Sequence, residues 1–273
     1  MNTHFARREF LAAAGALSIG MLFMVGCAKV DDVVFLNIQL DNKGRGYKKN
    51  PDKRADTGLR VFINGNFCQF ICAGSFGGAV DKFLKSGDNT LEIEGSTEQP
   101  FEVTMVSSTA GHVPLRTIFK QRWPGLSSTE KAKVSFRLKK TELLPIFDKQ
   151  SALPERLTAE RELTTTVSNL YQTCVTRNKA EFLRITLAGY AIHSPSEVPA
   201  LADGVGLIFE GFQLKPFPAK LNFIHGKNMV FVYSAITDNA RASSMLLFEP
   251  RSADSCSVAG VHFGRIGNQW VVW

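Results

Sequence analysis

The sequence predicts two folded parts behind a short apolar leader: an all-β antiparallel sandwich over 27–140 and an α+β domain over 157–273, with a linker at 141–156. Three observations carry this. Between Val30 and Lys140 apolar and polar residues alternate in short runs broken by turn signals, with no helical period. The stretch "TELLPIFDKQSALPERL" then ends the alternation with two prolines. Beyond it, apolar residues recur at helical spacing before strand-like runs return after Gly211. At 273 residues, 44% hydrophobic and 21% charged, the chain can bury sizeable cores and lacks the composition of a disordered one.

The leader comes first. Arg7 and Arg8 precede an uncharged run from Phe10 to Gly26, which is shorter than the roughly 20 residues that comfortably span a bilayer and ends in small residues before a cysteine. That pattern predicts an export signal over 1–26 that is cut away. "Met24-Val25-Gly26-Cys27" resembles the lipobox of bacterial lipoproteins, and "Arg7-Arg8-Glu9-Phe10-Leu11" resembles the twin-arginine export motif, with Phe10 and Leu11 in the expected places. The resemblance implies cleavage between Gly26 and Cys27, lipid on the Cys27 thiol and a membrane as partner. It places the protein outside the cytoplasm, on the periplasmic face or the outer membrane. Ala28 in place of an aspartate favours the outer membrane where one exists. With that compartment, the net charge of +7 points to anionic head groups or wall polymer. Nucleic acid is not an expected partner, since the basic run 43–60 offers Tyr47 alone as a stacking aromatic.

The sandwich strands follow in order. Val33 and Phe35, with Leu36, Ile38 and Leu40 in antiphase, make the first, and the basic loop "DNKGRGYKKNPDKRADTG" follows. "LRVFINGNFCQFIC" reads as a hairpin, because Asn64-Gly65 suits a two-residue turn between β-rich flanks. "LKSGDNTLEIEG" holds a second turn, Ser86 to Asn89, leading into Leu91 and Ile93. Phe101, Val103 and Met105 alternate, as do Val134, Phe136 and Leu138, while Pro124 and Gly125 place Trp123 in a loop. The segment "RVFINGN…FLKSGDNTLEIEG" is similar to the β-sandwich modules that accompany extracellular glycan-active and adhesion proteins. That similarity implies the fold and, as one function class, glycan or cell-wall binding.

In the second part, Leu163, Val167, Leu170, Tyr171 and Cys174 share a helical face, and "NKAEFLRITL" continues as a second helix. "Ser194-Pro195-Ser196-Glu197" forms a capping box. Strands are expected over Lys220–Ile224, Met229–Ile236, Ser243–Phe248, Ser257–Arg265 and Gln269–Trp273, with a turn at His225-Gly226-Lys227-Asn228. Helices followed by antiparallel strands ending in "VHFGRIGNQWVVW" resemble the nuclear transport factor 2-like fold, an α+β cone. Its isomerases and dehydratases place Asp, His or Tyr inside the cone. The resemblance implies a candidate pocket at Tyr171, Asp203 and His262, with Tyr190, His193, His225 and Tyr233 as further acid–base groups.

Other chemistry is weaker. Cys68 and Cys72 stand about 13 Å apart if extended, at ~3.3 Å per residue, too far for a disulfide without a turn. Buried free thiols are the expectation, with Cys174 to Cys256 as a possible bridge. "Ala73-Gly74-Ser75-Phe76-Gly77" resembles a nucleophile elbow but lacks the strand–turn–helix context. Five histidines lack metal-ligand spacing, and no phosphate or dinucleotide loop is present, so no metal and no cofactor is expected. The sequence therefore predicts an envelope-anchored, non-catalytic binding or scaffold protein for a small apolar ligand or an envelope protein. The alternatives are an isomerase or dehydratase and a glycan binder.

Overall fold

Alternating apolar positions in the first half build two four-stranded antiparallel sheets whose inward side chains meet in one core. The computed structural model describes residues 33–41, 59–71, 75–108, 114–138, 150–193, 198–211, 213–214, 216–234, 248–249 and 260–273. The leader with Arg7, Arg8, Phe10, Leu11 and Gly26, the lipidation candidate Cys27, the basic loop, Cys72, Cys256 and the capping box at 194–197 lie outside the described residues.

The strands of the first part are β1 (Val33–Leu40), β2 (Leu59–Ile63), β3 (Asn66–Ile71), β4 (Ser75–Ala79), β5 (Gly87–Glu94), β6 (Phe101–Ser108), β7 (Pro114–Trp123) and β8 (Lys131–Leu138). One sheet runs β4-β1-β6-β7 and the other β3-β2-β5-β8. Because side chains alternate across a strand, Leu36, Ile38, Val103 and Met105 from the first sheet meet Val61, Ile63, Leu91 and Ile93 from the second. The opposite positions are polar: Lys133 pairs with Glu92 at 3.0 Å and Lys131 with Glu94, each pair directly cross-strand. Such exposed pairs contribute little stability, but they put charge along an edge strand, where it discourages pairing with another chain. Trp123, read from sequence as a loop residue, closes β7 and stacks on Phe101 at 5.3 Å. Ser75 to Gly77 lie in β4, paired with β1, so that serine stands on an extended strand rather than an elbow.

The β2–β3 turn is the one the sequence predicts. Asn64 and Gly65 both take positive φ, 52° and 75°, the pairing that matches the twist of a hairpin. Asn64 also ties this turn to the next one. Its amide donates to Phe83 O at 2.8 Å and to Asn89 Oδ1 at 2.7 Å, and its Oδ1 accepts from Thr90 N at 3.0 Å.

The second part holds α1 (Arg156–Val175), α2 (Lys179–Thr186), α3 (Ala188–His193) and α4 (Val198–Gly211). The strands β9 (Gln213–Leu214), β10 (Leu221–His225), β11 (Met229–Ser234), β12 (Phe248–Glu249), β13 (Val261–Ile266) and β14 (Gln269–Val272) follow. They form a four-stranded antiparallel sheet, β10-β11-β13-β14, and a two-stranded pair, β12-β9. Helix α1 buries Ala159, Leu163, Val167, Leu170 and Cys174, a stripe at helical spacing. Asn178 caps α2 by accepting from Glu181 N at 3.1 Å.

This sheet is covered on both faces, as the unbroken buried runs of β11 and β13 require. Val230, Val232, Val261, Phe263 and Val272 face the helices and share their core. Met229, Val271 and Trp273 join the sandwich core instead. The hairpin turns also interlock: Gly65 O accepts from Lys227 N at 3.0 Å, and Asn66 Oδ1 accepts from Asn228 N at 2.7 Å and Met229 N at 3.1 Å. Gly226 fits here because a Cβ on it would stand 2.8 Å from Asn66 Cα and 3.1 Å from Gly65 O. Backbone cannot yield as a flexible side chain would. Gly226→Ala is expected to destabilise by about 1–3 kcal/mol, the cost of overpacking. A denaturant midpoint equal to wild type would show that the turns do not touch in solution.

Candidate functional site

Four buried titratable groups, Cys68, Asp81, Lys82 and His262, lie close to one another where the sandwich meets the C-terminal sheet. A 3₁₀ turn at Asp81–Phe83 links β4 to β5. Val80 N bonds to Val34 O at 2.9 Å and Asp81 Oδ1 accepts from Val34 N at 3.0 Å, so the turn is fastened to β1. Lys82 then reaches across the seam. Its Nζ donates to Trp273 O at 3.0 Å and lies 3.2 Å from His262 Nδ1.

His262 sits on β13 opposite Phe231 of β11 and is buried. Its Nε2 is 3.0 Å from Phe67 O. A carbonyl can only accept, so Nε2 carries the proton, and the neutral ring leaves Nδ1 to accept from the Lys82 ammonium. Phe231 packs against the ring at 4.7 Å, Phe83 at 5.0 Å and Phe67 at 6.4 Å. Burial first, then the nearby ammonium, hold the imidazole well below its ordinary value of 6.5.

The neighbours are shifted by the same physics. Burial lowers Lys82 to about 8, an effect that Cys68 opposes. It raises Asp81 to about 7, against the hydrogen bond from Val34. It pushes the Cys68 thiol up to about 12, with Lys82 pulling the other way. A thiol held that high stays protonated and is a poor nucleophile. Cys68 enters the core because a register shift between Val61 and Phe62 leaves it as the extra residue of β3, and Phe67 turns outward to the seam.

Tyr171, Asp203 and His262 are not brought together. Tyr171 lies on α1, half-buried against Phe217 at 5.2 Å, and Asp203 is exposed on α4. His262 lies on the other face of the sheet, turned to the sandwich. Tyr190, on α3, packs near Trp273 at 6.5 Å, and Tyr233 sits against Phe70 at 5.6 Å. His193 ends α3. His225, expected in a solvated turn, is instead the last residue of β10, with Nε2 2.9 Å from Glu160 Oε1. Arg156 Nε donates to the same oxygen at 3.0 Å. Burial works to raise Glu160, but the hydrogen bonds from Arg156 and His225 outweigh it and hold the carboxyl below its usual range. These contacts fasten α1 to the sheet edge. Cys68 and Cys174 are buried free thiols, and Cys256, the other half of the bridge the sequence left open, lies outside the described residues. Burial raises Cys174 to about 11.

Lys82, Asn66 and Phe67 escaped the sequence reading. Asn66 and Phe67 do carry a signal: "FINGNFCQFI" and "MVFVYS" place apolar residues on both strand faces, which marks strands covered on both sides. No protein-family model matches the chain, and no curated protein or solved structure matches it.

Proposed function

We propose that the chain is an envelope lipoprotein, exported on a twin-arginine-type signal, cut before Cys27 and held at a membrane by lipid on that cysteine. There it acts as a non-catalytic scaffold or binding protein. The observation that carries this reading is the run from Arg7 to Cys27: paired arginines, an apolar stretch without charge, and Gly26 before the cysteine. Two or three acyl chains on Cys27, at about 0.8 kcal/mol per buried CH₂, would anchor it stably.

The scaffold role draws support from where the titratable groups sit. The two nitrogens of His262 are both engaged between layers, and Tyr171 and Asp203 lie on the far side of the sheet from it. A sheet covered on both faces suits the docking of a protein on the outer surface better than the holding of a small apolar molecule within. Helices laid on one face of a four-stranded antiparallel sheet support the nuclear transport factor 2-like reading of the second part. On this reading the sandwich occupies the face left by the helices, and the two parts work as one body.

Expression of the full chain in a bacterium fed an alkyne fatty acid tests the anchor. The wild type is expected to carry the label and to sediment with membranes. Cys27→Ala is expected to lose essentially all the label and to leave the membrane fraction. A Cys27→Ala protein labelled like the wild type would overturn the anchor. Cross-linking of the tethered protein in envelopes, followed by mass spectrometry, tests the role: one stoichiometric protein partner supports the scaffold, and co-purification of a small apolar molecule without one counts against it.

A further inference from the structure

We propose that the seam between the sandwich and the C-terminal sheet is an acid-sensitive latch, released when His262 takes up a proton. The argument stands on geometry. Both ring nitrogens are already committed across the seam, Nε2–H donating to Phe67 O at 3.0 Å and Nδ1 accepting from Lys82 at 3.2 Å. A second proton can go only to Nδ1. There it meets an ammonium that points its own N–H groups at the same atom, within a ring of Phe67, Phe83 and Phe231. A second proton on Nδ1 sets two cations 3.2 Å apart, in place of the hydrogen bond that now joins them. Protonation therefore requires Lys82 to withdraw or the ring to leave, and either breaks the contact between layers.

The other groups around the ring do not supply the same response. Lys82 stays charged below about pH 8 and Cys68 stays a thiol. Asp81, held up to about 7, titrates in the relevant range, but its carboxyl faces Val34 N inside the sandwich and is not unpaired by opening the seam. Lys227, at the turn contact, is exposed. Glu160, His225, Glu162 and Arg265 interact on the helix side: Glu162 accepts from Trp270 Nε1 at 2.8 Å and lies 3.8 Å from Arg265.

The sign follows from linkage. His262 has a lower pKa in the closed seam than in the open one, where it returns towards 6.5. Closure is therefore fully favoured above about 6.5 and weakens as pH falls, because only the open state binds the proton. One proton gives an opening constant that rises tenfold per pH unit below that point, until the closed ring itself protonates.

Hydrogen exchange of the full chain in detergent, corrected for intrinsic rates, reads this directly. The amides of Lys227, Asn228 and Met229 cross the seam, and those of β5 and β8 report the sandwich alone. The expected result is a roughly tenfold loss of seam protection per pH unit below 6.5, with β5 and β8 unchanged. His262→Gln keeps a donor and an acceptor but cannot titrate, so its seam protection is expected to stay flat over pH 5–7. Lys82→Met removes the opposing cation and is expected to raise the His262 titration midpoint seen by NMR and to flatten the profile. Equal wild-type protection at pH 5 and 7.5 would overturn the latch. So would a His262→Gln protein with the wild-type slope, or a His262 that titrates normally while the seam stays shut. None of these readouts depends on lipid at Cys27.

Discussion

Phe67→Ala is expected to destabilise the whole chain by about 3–5 kcal/mol, the usual cost of removing a buried aromatic ring. Phe67 is 1% exposed. Its ring meets Phe62 at 5.6 Å, Phe70 at 4.7 Å and Phe231 at 4.7 Å, so it packs against its own hairpin and against the C-terminal sheet together. The site cannot collapse easily, because Phe231 is fixed in a central strand and Phe62 in the sandwich. At roughly 2–4 °C per kcal/mol for a chain of this size, the melting midpoint should fall by roughly 10 °C. The informative readout is which tryptophans report the melt. Trp123 belongs to the sandwich, Trp270 and Trp273 to the C-terminal sheet. A shared core requires all of them to shift together. A variant in which Trp123 melts as in wild type while the others shift would show two independently stable parts.

Asn89→Ala should be nearly as costly, about 3–5 kcal/mol, through polar groups rather than packing. Asn89 is 1% exposed and makes four hydrogen bonds. Its Oδ1 accepts from Lys85 N at 2.9 Å and Asn64 Nδ2 at 2.7 Å, and its Nδ2 donates to Lys85 O at 2.8 Å and Gly87 O at 2.9 Å. Alanine takes the partner away from three backbone groups and from the Asn64 amide in this half-buried turn, at about 1–3 kcal/mol for each one left unsatisfied. The adjacent Asp88 is the control. It is exposed, with only a 3.8 Å contact to Arg137, so Asp88→Ala should change stability by less than about 0.5 kcal/mol. Urea denaturation separates the two, and equal midpoints for Asn89→Ala and wild type would refute the network.

Much of the β structure was legible because alternation has one cause, a sheet with one buried face. β1, β2, β5, β6 and β8 each show it, and the helical stripe of α1 is equally plain. Two strands were not legible for opposite reasons. β4, "SFGGA", has too few side chains to alternate, and β7, "PLRTIFKQRW", is an outer strand whose register shifts twice against β6. The turn motifs could be read as turns, but not the hydrogen bonds that join Asn64 to Asn89, since these depend on two hairpins meeting. The candidate pocket failed to assemble for a related reason. Tyr171 and His262 were assigned to one cone interior, but strand alternation alone does not say which face of β13 meets the helices. Only the sandwich, packed against the opposite face, decides it. Lys82 had no local signature at all: its importance comes from His262 and Trp273, far along the chain.

Trp273 and Val271 complete the same core as Val34 and Leu36, and that fact sets an order of events during synthesis. β1 can pair early with β4 and β6, yet the cluster it points into lacks part of its wall until the final strand has been made. Pairings so distant in sequence close slowly, since the entropy of the long loop is lost before the contact forms. A chain emerging N-terminus first would hold an apolar sandwich face, Phe67 and Phe70 included, uncovered throughout that interval. Passage across a membrane as an unfolded thread would repeat the exposure on the far side. Folding once, before transit, avoids the second exposure, which is what the twin-arginine route proposed above would offer this topology.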